Sequence, residues 1–277
     1  MAFLFVDRIT EIVPGRRARG SFSVPRTLRS LSPCLVGEAL GQLAAWVAMA
    51  KVGFRSRPVA GITGEFRIKQ DAAPGAMLDL EVELESCDSD AILYGGLVRV
   101  ENRPIVELSR CVGPMLPMED FDDPEVVRER FELLCGPGAP PQHFSGHVAP
   151  SPRVVVIDHN PGKWLRAEMQ IPSSAPFFAD HFPRRPVFPG TLLIDANLQL
   201  AVRLAGEAVD PSIRMLLRTT RIYNAKLRSF LGPGQSLEID AELLTASRNS
   251  AEIALAAEVR GQRVSTARVE TGLWAAS

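Results

Sequence analysis

The amino-acid sequence predicts an α+β protein made of two similar halves, each with one buried helix and several antiparallel strands. The first observation is a pair of long runs that are apolar on nearly every helical face, GEALGQLAAWVAMAKVG from Gly37 and TLLIDANLQLAVRLAGEA from Thr191. A helix of this kind must be covered on most of its surface. The second observation is the alternation of apolar and polar residues after each run, in MLDLEVEL and SLEIDAEL. Such alternation is typical of half-buried antiparallel strands, which can wrap around the helix.

The two halves carry the same landmarks in the same order, which indicates an internal repeat. Each opens with an apolar strand-like run and a turn of Pro, Gly and a basic residue, at Pro14-Gly15-Arg16 and at Pro161-Gly162-Lys163. Between the halves, an acidic helix-compatible stretch and the Pro- and Gly-rich GPGAPPQHFSGHVAP are typical of a linker. We therefore predict an N-terminal half over residues 1–116, a helix and linker over 117–150, and a C-terminal half over 151–277.

The composition excludes several classes of function. The chain has 277 residues, is 46% hydrophobic and 23% charged, and has a formal net charge of -1, so neither disorder nor a nucleic-acid partner is expected. No run reaches the roughly 20 apolar residues of a membrane span, and the N-terminus lacks the features of a signal peptide. The cysteines form no C-x-x-C pair, and His143 and His147 lie in the linker without a third ligand. We expect free thiols, no metal site and a cytoplasmic location.

The halves differ most in the loop before the helix. From the Pro-Gly turn to the helix acid there are 38 − 14 = 24 residues in the first half and 195 − 161 = 34 in the second. The extra residues lie in APFFADHFPRRPVFPG, which contains His181, whereas the shorter PRTLRSLSPCLVG of the first half has no histidine. A histidine in an apolar loop stiffened by prolines, directly before a helix N-terminus, is well placed for acid–base chemistry.

Each predicted helix also carries an acid followed four residues later by an amide, Glu38 with Gln42 and Asp195 with Gln199. This spacing places both side chains on one helix face. An acid on an apolar helix costs free energy unless it is paired or its pKa rises. The alternative is that Glu38 complements the helix dipole from the first turn. The recurrence in both halves favours a shared functional origin.

These residues resemble the signature of the β-hydroxyacyl-acyl-carrier-protein dehydratases of the FabA/FabZ type. In the second half the resemblance rests on His181-Phe182-Pro183, on PVFPG ending at Gly190, on Asp195-Ala196 with Gln199, and on the spacing 195 − 181 = 14. In the first half it rests on FLFVDRITEIVPG, on PCLVGEALGQLA around Glu38 and on APGAMLDLEVEL, without the histidine. Asp180 and Arg184 depart from the family pattern, which usually has glycine at both positions, and a carboxylate beside His181 would raise the pKa of that histidine.

The resemblance implies two tandem hotdog folds, each a long helix wrapped by an antiparallel sheet, that form an internal pseudo-dimer with further self-association left open. It implies a site between the halves in which His181 and Glu38 are catalytic and the backbone N–H of Gly190 binds the thioester oxygen, the glycine also letting the substrate approach the backbone. Asp195 then belongs to a second, inactive site. The residues expected to bind substrate are Phe182, Phe188, Pro189, Thr191, Gln42 and Gln199.

The implied reaction is loss of water from (3R)-3-hydroxyacyl thioesters to give trans-2-enoyl thioesters, in fatty acid, polyketide or related lipid biosynthesis. No cofactor is expected apart from the phosphopantetheine that carries the substrate, on acyl carrier protein or in coenzyme A. Basic residues that would contact an acidic carrier protein are Arg184, Arg185, Arg221, Lys226 and Arg228. Three alternatives stay open here: a hotdog acyl thioesterase, a non-catalytic acyl-carrier-binding partner subunit, and combined dehydratase and isomerase activity, because Asp195 resembles the acid of the isomerising branch.

Overall fold

The computed structural model describes residues 3–140, 143–144, 148 and 152–274. The helices are α1 (Pro33–Lys51), α2 (Pro124–Cys135) and α3 (Gly190–Ala208). The strands of the first half are β1 (Arg8–Val13), β2 (Arg17–Ser23), β3 (Ser56–Pro58), β4 (Ile62–Ile68), β5 (Met77–Cys87), β6 (Ala91–Val100) and β7 (Arg103–Pro117). Those of the second half are β8 (Arg153–Asn160), β9 (Trp164–Gln170), β10 (Arg218–Leu227), β11 (Ser236–Ala246), β12 (Ala251–Val259) and β13 (Gln262–Gly272).

A single antiparallel sheet runs through both halves. Its order is β1-β2-β5-β6-β7-β4-β10-β13-β12-β11-β9-β8, with the short β3 paired to β7. The second half therefore repeats the strand order of the first in reverse, and the repeat predicted from the sequence is present as a pseudo-two-fold arrangement. The halves join where β4 pairs with β10, with Phe66 opposite Ile222 and Glu65 opposite Tyr223.

The first central helix, α1, begins where the sequence supplies a cap. Pro33 occupies the first helical position, and the Ser32 hydroxyl accepts a hydrogen bond from the Cys34 N–H at 3.2 Å. By length and composition α1 could cross a membrane, but 67% of it is buried inside the protein, as expected for a core helix. Glu38 lies beyond the first turn, so the interpretation of this residue as a partner of the helix dipole is wrong.

The second central helix, α3, is the counterpart of α1 and packs against it. α1 is covered mainly by β5 and β2, and α3 by β11 and β12. Contact between the two helices joins the apolar interiors of the halves into one core, in which Leu40, Leu43, Ala201 and Leu204 are fully buried. Each sheet half thus covers part of its own helix, and the other helix covers a further part.

The connection between the halves contains α2, as the sequence predicted a helix there. Asp123 caps it by accepting the Glu125 N–H at 3.0 Å. The rest of the predicted linker is only partly described, and His147 lies outside the described residues. The proposed boundaries of the halves, 1–116 and 151–277, remain predictions.

Replacing a fully buried leucine of α1 tests the helix core. We expect Leu43→Ala to lower the free energy of unfolding by about 3 kcal/mol, because it removes transfer energy and leaves a cavity. Leu200→Ala in α3 should cost a similar amount, whereas Met77→Ala, at a side chain that is 52% exposed, should cost less than about 0.5 kcal/mol. Urea unfolding monitored by fluorescence measures these differences. Equal losses in Leu43→Ala and Met77→Ala would contradict the packing described.

Candidate active site

A cavity of about 200 Å³ lies between the two halves. The first half contributes one face of α1 together with β3 and the segment after it. The second half contributes the loop before α3, the start of α3 and the end of β10. Its lining includes Glu38, Gln42, Arg57, His181, Phe182, Val187, Phe188, Gly190 and Leu227. The cavity therefore brings together the two side chains that the sequence singled out, one from each half.

His181 is held in the loop before α3 by its backbone and its ring. Its N–H donates to the carbonyl of Phe177 at 2.8 Å, and its carbonyl accepts the N–H of Val187 at 2.9 Å. Ring atom Nδ1 lies 2.9 Å from the Val187 carbonyl oxygen, which can only accept, so Nδ1 carries the proton and Nε2 is left with a free lone pair.

The electrostatic setting keeps the His181 ring neutral. Burial lowers the pKa of His181 to about 4, and the positive charge of Arg57 acts in the same direction. The neighbouring Asp180 carboxylate raises this pKa only weakly. The expectation that Asp180 would make His181 more basic is therefore outweighed by desolvation.

Glu38 is fixed by hydrogen bonds from both halves. Gln42, one turn further along α1, donates to Oε1 at 3.0 Å, and the Thr191 hydroxyl of α3 donates to Oε2 at 2.9 Å. Burial raises the pKa of Glu38, and the two hydrogen bonds and the charge of Arg57 oppose this rise. The result is a carboxyl group that favours its protonated form more than an exposed glutamate does.

The N-terminus of α3 opens onto the same cavity at Gly190. Pro189 precedes the helix, and its carbonyl accepts the N–H groups of Leu192 and Leu193. The first N–H groups of a helix have no acceptor within that helix and carry partial positive charge. A Cβ at Gly190 would lie 2.3 Å from Cδ1 of Leu227, so this glycine is required for the packing of β10 against α3 as well.

Arg57 is a cavity residue that the sequence analysis missed. It lies on β3, and its guanidinium carbon is 3.8 Å from the centroid of the Phe182 ring. Burial lowers the pKa of Arg57 to about 10. The only signal in the sequence is that this arginine follows the end of an apolar helix, in FRSRP, which does not distinguish it from a surface residue.

The segment after β7 anchors the loop that carries His181. Phe121 packs edge-on against Phe182 with ring centroids 5.2 Å apart. The Arg184 N–H donates to the Phe121 carbonyl at 3.0 Å, and the Arg184 guanidinium pairs with Asp123 at 2.9 Å. The arginine that replaces the usual glycine of the family pattern therefore ties this loop to the connection between the halves.

The second helix acid lies in a different setting. Asp195 accepts a hydrogen bond from the Ser32 hydroxyl, the cap of α1, and burial raises the pKa of Asp195. Burial also raises the pKa of the neighbouring Cys34 thiol, which makes it a poor nucleophile. The segment of the first half that faces Asp195 contains no histidine.

The structure corrects several expected substrate contacts. Gln199 is exposed on α3 and lies away from the cavity, because the helix turns this position toward solvent. Neither Pro189, which precedes the helix, nor Thr191, whose hydroxyl donates to Glu38, lines the cavity. The Gln42 amide, besides its bond to Glu38, bonds the backbone of Phe3 and Phe5 and so positions the acid. Phe182 and Phe188 do line the cavity.

The basic residues expected to contact a carrier protein lie in different surroundings. Arg221 lies at the seam of the sheet, where it pairs with Glu65 at 2.7 Å and Glu270 at 2.9 Å, so it does not form an open basic surface. The Arg185 guanidinium lies over the Phe230 ring at 4.6 Å. Lys226 and Arg228 are exposed, and Arg228 donates to the Thr266 hydroxyl at 3.0 Å.

Comparison with known proteins places the second half in a sequence family. The family model of a FabA-like domain matches residues 151–268. Over 115 residues the chain is 33% identical to the 3-hydroxyacyl-[acyl-carrier-protein] dehydratase FabZ of Pseudoalteromonas translucida (strain TAC 125), which covers 41% of this chain and 77% of that protein. It is 38% identical over 108 residues to the protein of the same name from Aeromonas hydrophila, covering 39% and 71% respectively.

Solved structures resemble nearly the whole chain. A structure assigned as an oleoyl thioesterase from Lactobacillus plantarum aligns with a TM-score of 0.61 at 8% identity, covering 95% of this chain and 98% of that one. A 12:0-ACP thioesterase from Umbellularia californica aligns with a TM-score of 0.56 at 11% identity, covering 92% of this chain and 93% of that one. A MaoC-like dehydratase aligns with a TM-score of 0.54 at 12% identity, covering 95% of this chain and 98% of that one. At such identities the likeness concerns the fold alone, and it confirms the predicted tandem of hotdog folds.

The depressed pKa of His181 makes a testable contribution to stability. In the unfolded chain a histidine has a pKa near 6.5, whereas His181 in the folded chain has a pKa of about 4. As pH falls below about 6.5, the unfolded chain therefore binds the proton first, and folding stability is lost until about pH 4. Between pH 7 and 4, the free energy of unfolding of wild type should fall by about 2 to 3 kcal/mol more than that of His181→Gln. Urea unfolding measures both proteins. A difference between the two proteins that stays constant with pH would contradict the buried neutral ring.

Proposed function

The chain belongs to the FabA/FabZ dehydratase family and is an enzyme of the hydro-lyase class, and we propose that it converts (3R)-3-hydroxyacyl thioesters into trans-2-enoyl thioesters and water. The observation that carries this proposal is the meeting of His181 and Glu38 in one cavity, with the Thr191 hydroxyl of the second half bonded to the acid of the first. A base and a protonated acid on either side of a C2–C3 bond are what this elimination requires.

In the proposed mechanism His181 is the base. Its unprotonated Nε2 takes the proton from C2 of the substrate, and the Nδ1 hydrogen bond to Val187 keeps the ring oriented throughout. The electron pair of the C2–H bond moves toward the thioester carbonyl. Negative charge that develops on the thioester oxygen is stabilised by the Gly190 N–H at the N-terminus of α3.

Glu38 is the proposed acid. Its proton passes to the hydroxyl on C3 as the C3–O bond breaks, so that water leaves and the C2–C3 double bond forms. Burial favours the protonated carboxyl that this step needs, and Gln42 and Thr191 hold it in place. The proton on the His181 imidazolium then returns to the Glu38 carboxylate, which restores both groups.

The substrate is proposed to arrive on a phosphopantetheine arm, carried by acyl carrier protein or by coenzyme A. The curated relatives are named for the acyl-carrier-protein substrate. Exposed Lys226 and Arg228 adjoin Leu227, which lines the cavity, so an acidic carrier would meet positive charge there. A role in fatty acid or related lipid biosynthesis and a cytoplasmic location follow as proposals from the same relatives.

Three substitutions test the assignment of the base and the acid. We expect His181→Ala and Glu38→Gln to lower kcat/KM by about 10²- to 10⁴-fold, because each removes a proton-transfer group. Asp195→Asn should retain activity within about three-fold, since the amide oxygen can still accept from Ser32 and the residue lies outside the cavity. Formation of the enoyl thioester from a 3-hydroxyacyl thioester, followed by its ultraviolet absorbance, measures all three.

The same assay separates the alternatives. Release of free thiol in place of enoyl product would identify a thioesterase, and formation of a 3-enoyl isomer would add isomerase activity. Loss of turnover in Asp195→Asn but not in Glu38→Gln would overturn the pairing between the halves. A wild-type chain without any turnover would favour a non-catalytic binding partner.

The pH profile tests the protonation states. Because the base must be neutral, kcat/KM should fall below about pH 4, the pKa of His181. Because the acid must be protonated, kcat/KM should also fall as pH rises above the raised pKa of Glu38. Thr191→Val removes a hydrogen bond that lowers this pKa, so the alkaline limb should move to higher pH. Ser32→Ala, which removes the matching hydroxyl at Asp195, should leave the profile in place; equal shifts in both variants would contradict Glu38 as the acid.

A further inference from the structure

Arg57 is a half-buried cation that has no hydrogen-bonding partner among the described residues. Among the described residues, none of its N–H groups donates to a protein acceptor, and Nε is enclosed and unsatisfied. The guanidinium contacts the faces of Phe182 and Phe121 and borders the cavity between the halves. A buried donor without an acceptor costs about 1 to 3 kcal/mol, more when it is charged. Such a cost is maintained at a site where a ligand supplies the acceptor.

The internal repeat provides a comparison. Arg214 follows α3 at the same spacing as Arg57 follows α1, since Glu38 to Asp195 and Arg57 to Arg214 are equal distances along the chain. The Nε of Arg214 donates to the Gly206 carbonyl at 2.6 Å, and this residue is exposed. At the corresponding position of the second half, which lies in the 3-10 helix Pro211–Leu216 and not on a strand, the protein itself therefore supplies an acceptor for Nε. Of these two arginines, the one that lines the cavity with the proposed catalytic pair has no acceptor for its Nε among the residues described.

The charged neighbours of Arg57 do not neutralise it by contact. Asp122, Arg130 and Glu38 act on it through space, and Asp122 already accepts the N–H of Asp123 at 2.8 Å. Asp180 lies at the His181 side of the cavity, where its carboxylate accepts the Phe3 N–H at 3.1 Å. The aromatic rings that Arg57 lies over, Phe182 and Phe121, belong to an apolar cluster with Val187 and offer no acceptor. A plain alkyl chain would leave the guanidinium desolvated there.

On the basis of the proposed dehydratase function, we propose that Arg57 binds an oxygen acceptor on the acyl chain of the substrate, beyond C3. The enzyme then selects 3-hydroxyacyl thioesters that carry a further hydroxyl, keto or carboxylate oxygen over those with a plain alkyl chain. The position suits this role, because Arg57 lines the same cavity as Glu38 and His181, and its guanidinium carbon lies 3.8 Å from the ring centroid of Phe182, the residue that follows His181.

The experiment uses three chain-matched pantetheine thioesters: 3-hydroxyhexanoyl, 3-hydroxy-5-oxohexanoyl and 3-hydroxyadipyl. For wild type, kcat/KM for the better of the two oxygenated substrates should exceed that for 3-hydroxyhexanoyl by at least about ten-fold, since a buried donor rejects a chain that lacks its acceptor. In Arg57→Met this ratio should fall to near one. A ratio within one protein does not depend on the fraction of active enzyme, so partial misfolding cannot produce the result.

Two further variants locate the effect. Arg55→Met changes an exposed arginine two residues away and should leave the wild-type ratios unchanged. Arg57→Gln keeps a donor without the charge, so it should retain a preference for the keto chain and lose one for the carboxylate chain. A wild-type preference for the plain chain, or the same ratios in wild type and Arg57→Met, would overturn the proposal.

Binding measurements test the acceptor site at Arg57 independently of the proposed dehydration. The amide analogues of the same three compounds, which resist elimination, are titrated by calorimetry into wild type and Arg57→Met. Tighter binding of an oxygenated amide by wild type, lost in Arg57→Met, supports the acceptor site even if no thioester is turned over. Equal affinity of wild type for all three amides overturns the acceptor site even if dehydration is observed.

Discussion

The contact between the two central helices, held under one sheet that continues from β4 into β10, is the constraint on which the site depends. Neither helix could be buried by its own sheet alone, because each is apolar on nearly all faces. Packing them together places the hydroxyl of Thr191 on Glu38, and the hydroxyl of Ser32 on Asp195. Each helix acid is therefore satisfied by the other half. The same hydrophobic packing that stabilises the fold thus assembles a polar site from residues that are distant in sequence.

Burial then sets both protonation states without a direct ion pair. Removal of water disfavours charge on either group, so the pKa of His181 falls and that of Glu38 rises. The low-polarity surroundings therefore favour the neutral form of both groups, which a salt bridge between them would not. The charge of Arg57 strengthens the fall in the pKa of His181 and weakens the rise in the pKa of Glu38.

The sequence predicted the features that depend on pattern and spacing. Helical periodicity identified both central helices, and the longer loop of the second half identified His181. The first helix starts at Pro33, four positions before Gly37, because the cap is a serine followed by proline, which periodicity does not register. Gln199 was wrongly expected at the substrate, since periodicity gives the face of a helix but not what covers that face. Arg57 could not be found, because its importance arises only when β3 and the second half meet.

The fusion of two halves permits an asymmetry that two identical subunits cannot have. In its described part, the connection between the halves passes beside the His181 site, where Phe121 and Asp123 hold the loop of His181 through Phe182 and Arg184. The acid of the other site is tied to the cap of α1 through Ser32. The N-terminus of α3 thus borders the cavity, whereas the N-terminus of α1 is capped by a serine that also bonds Asp195. The two arginines that follow the helices differ in the same way. Arg214 bonds the Gly206 carbonyl of its own helix, whereas Arg57 lines the cavity.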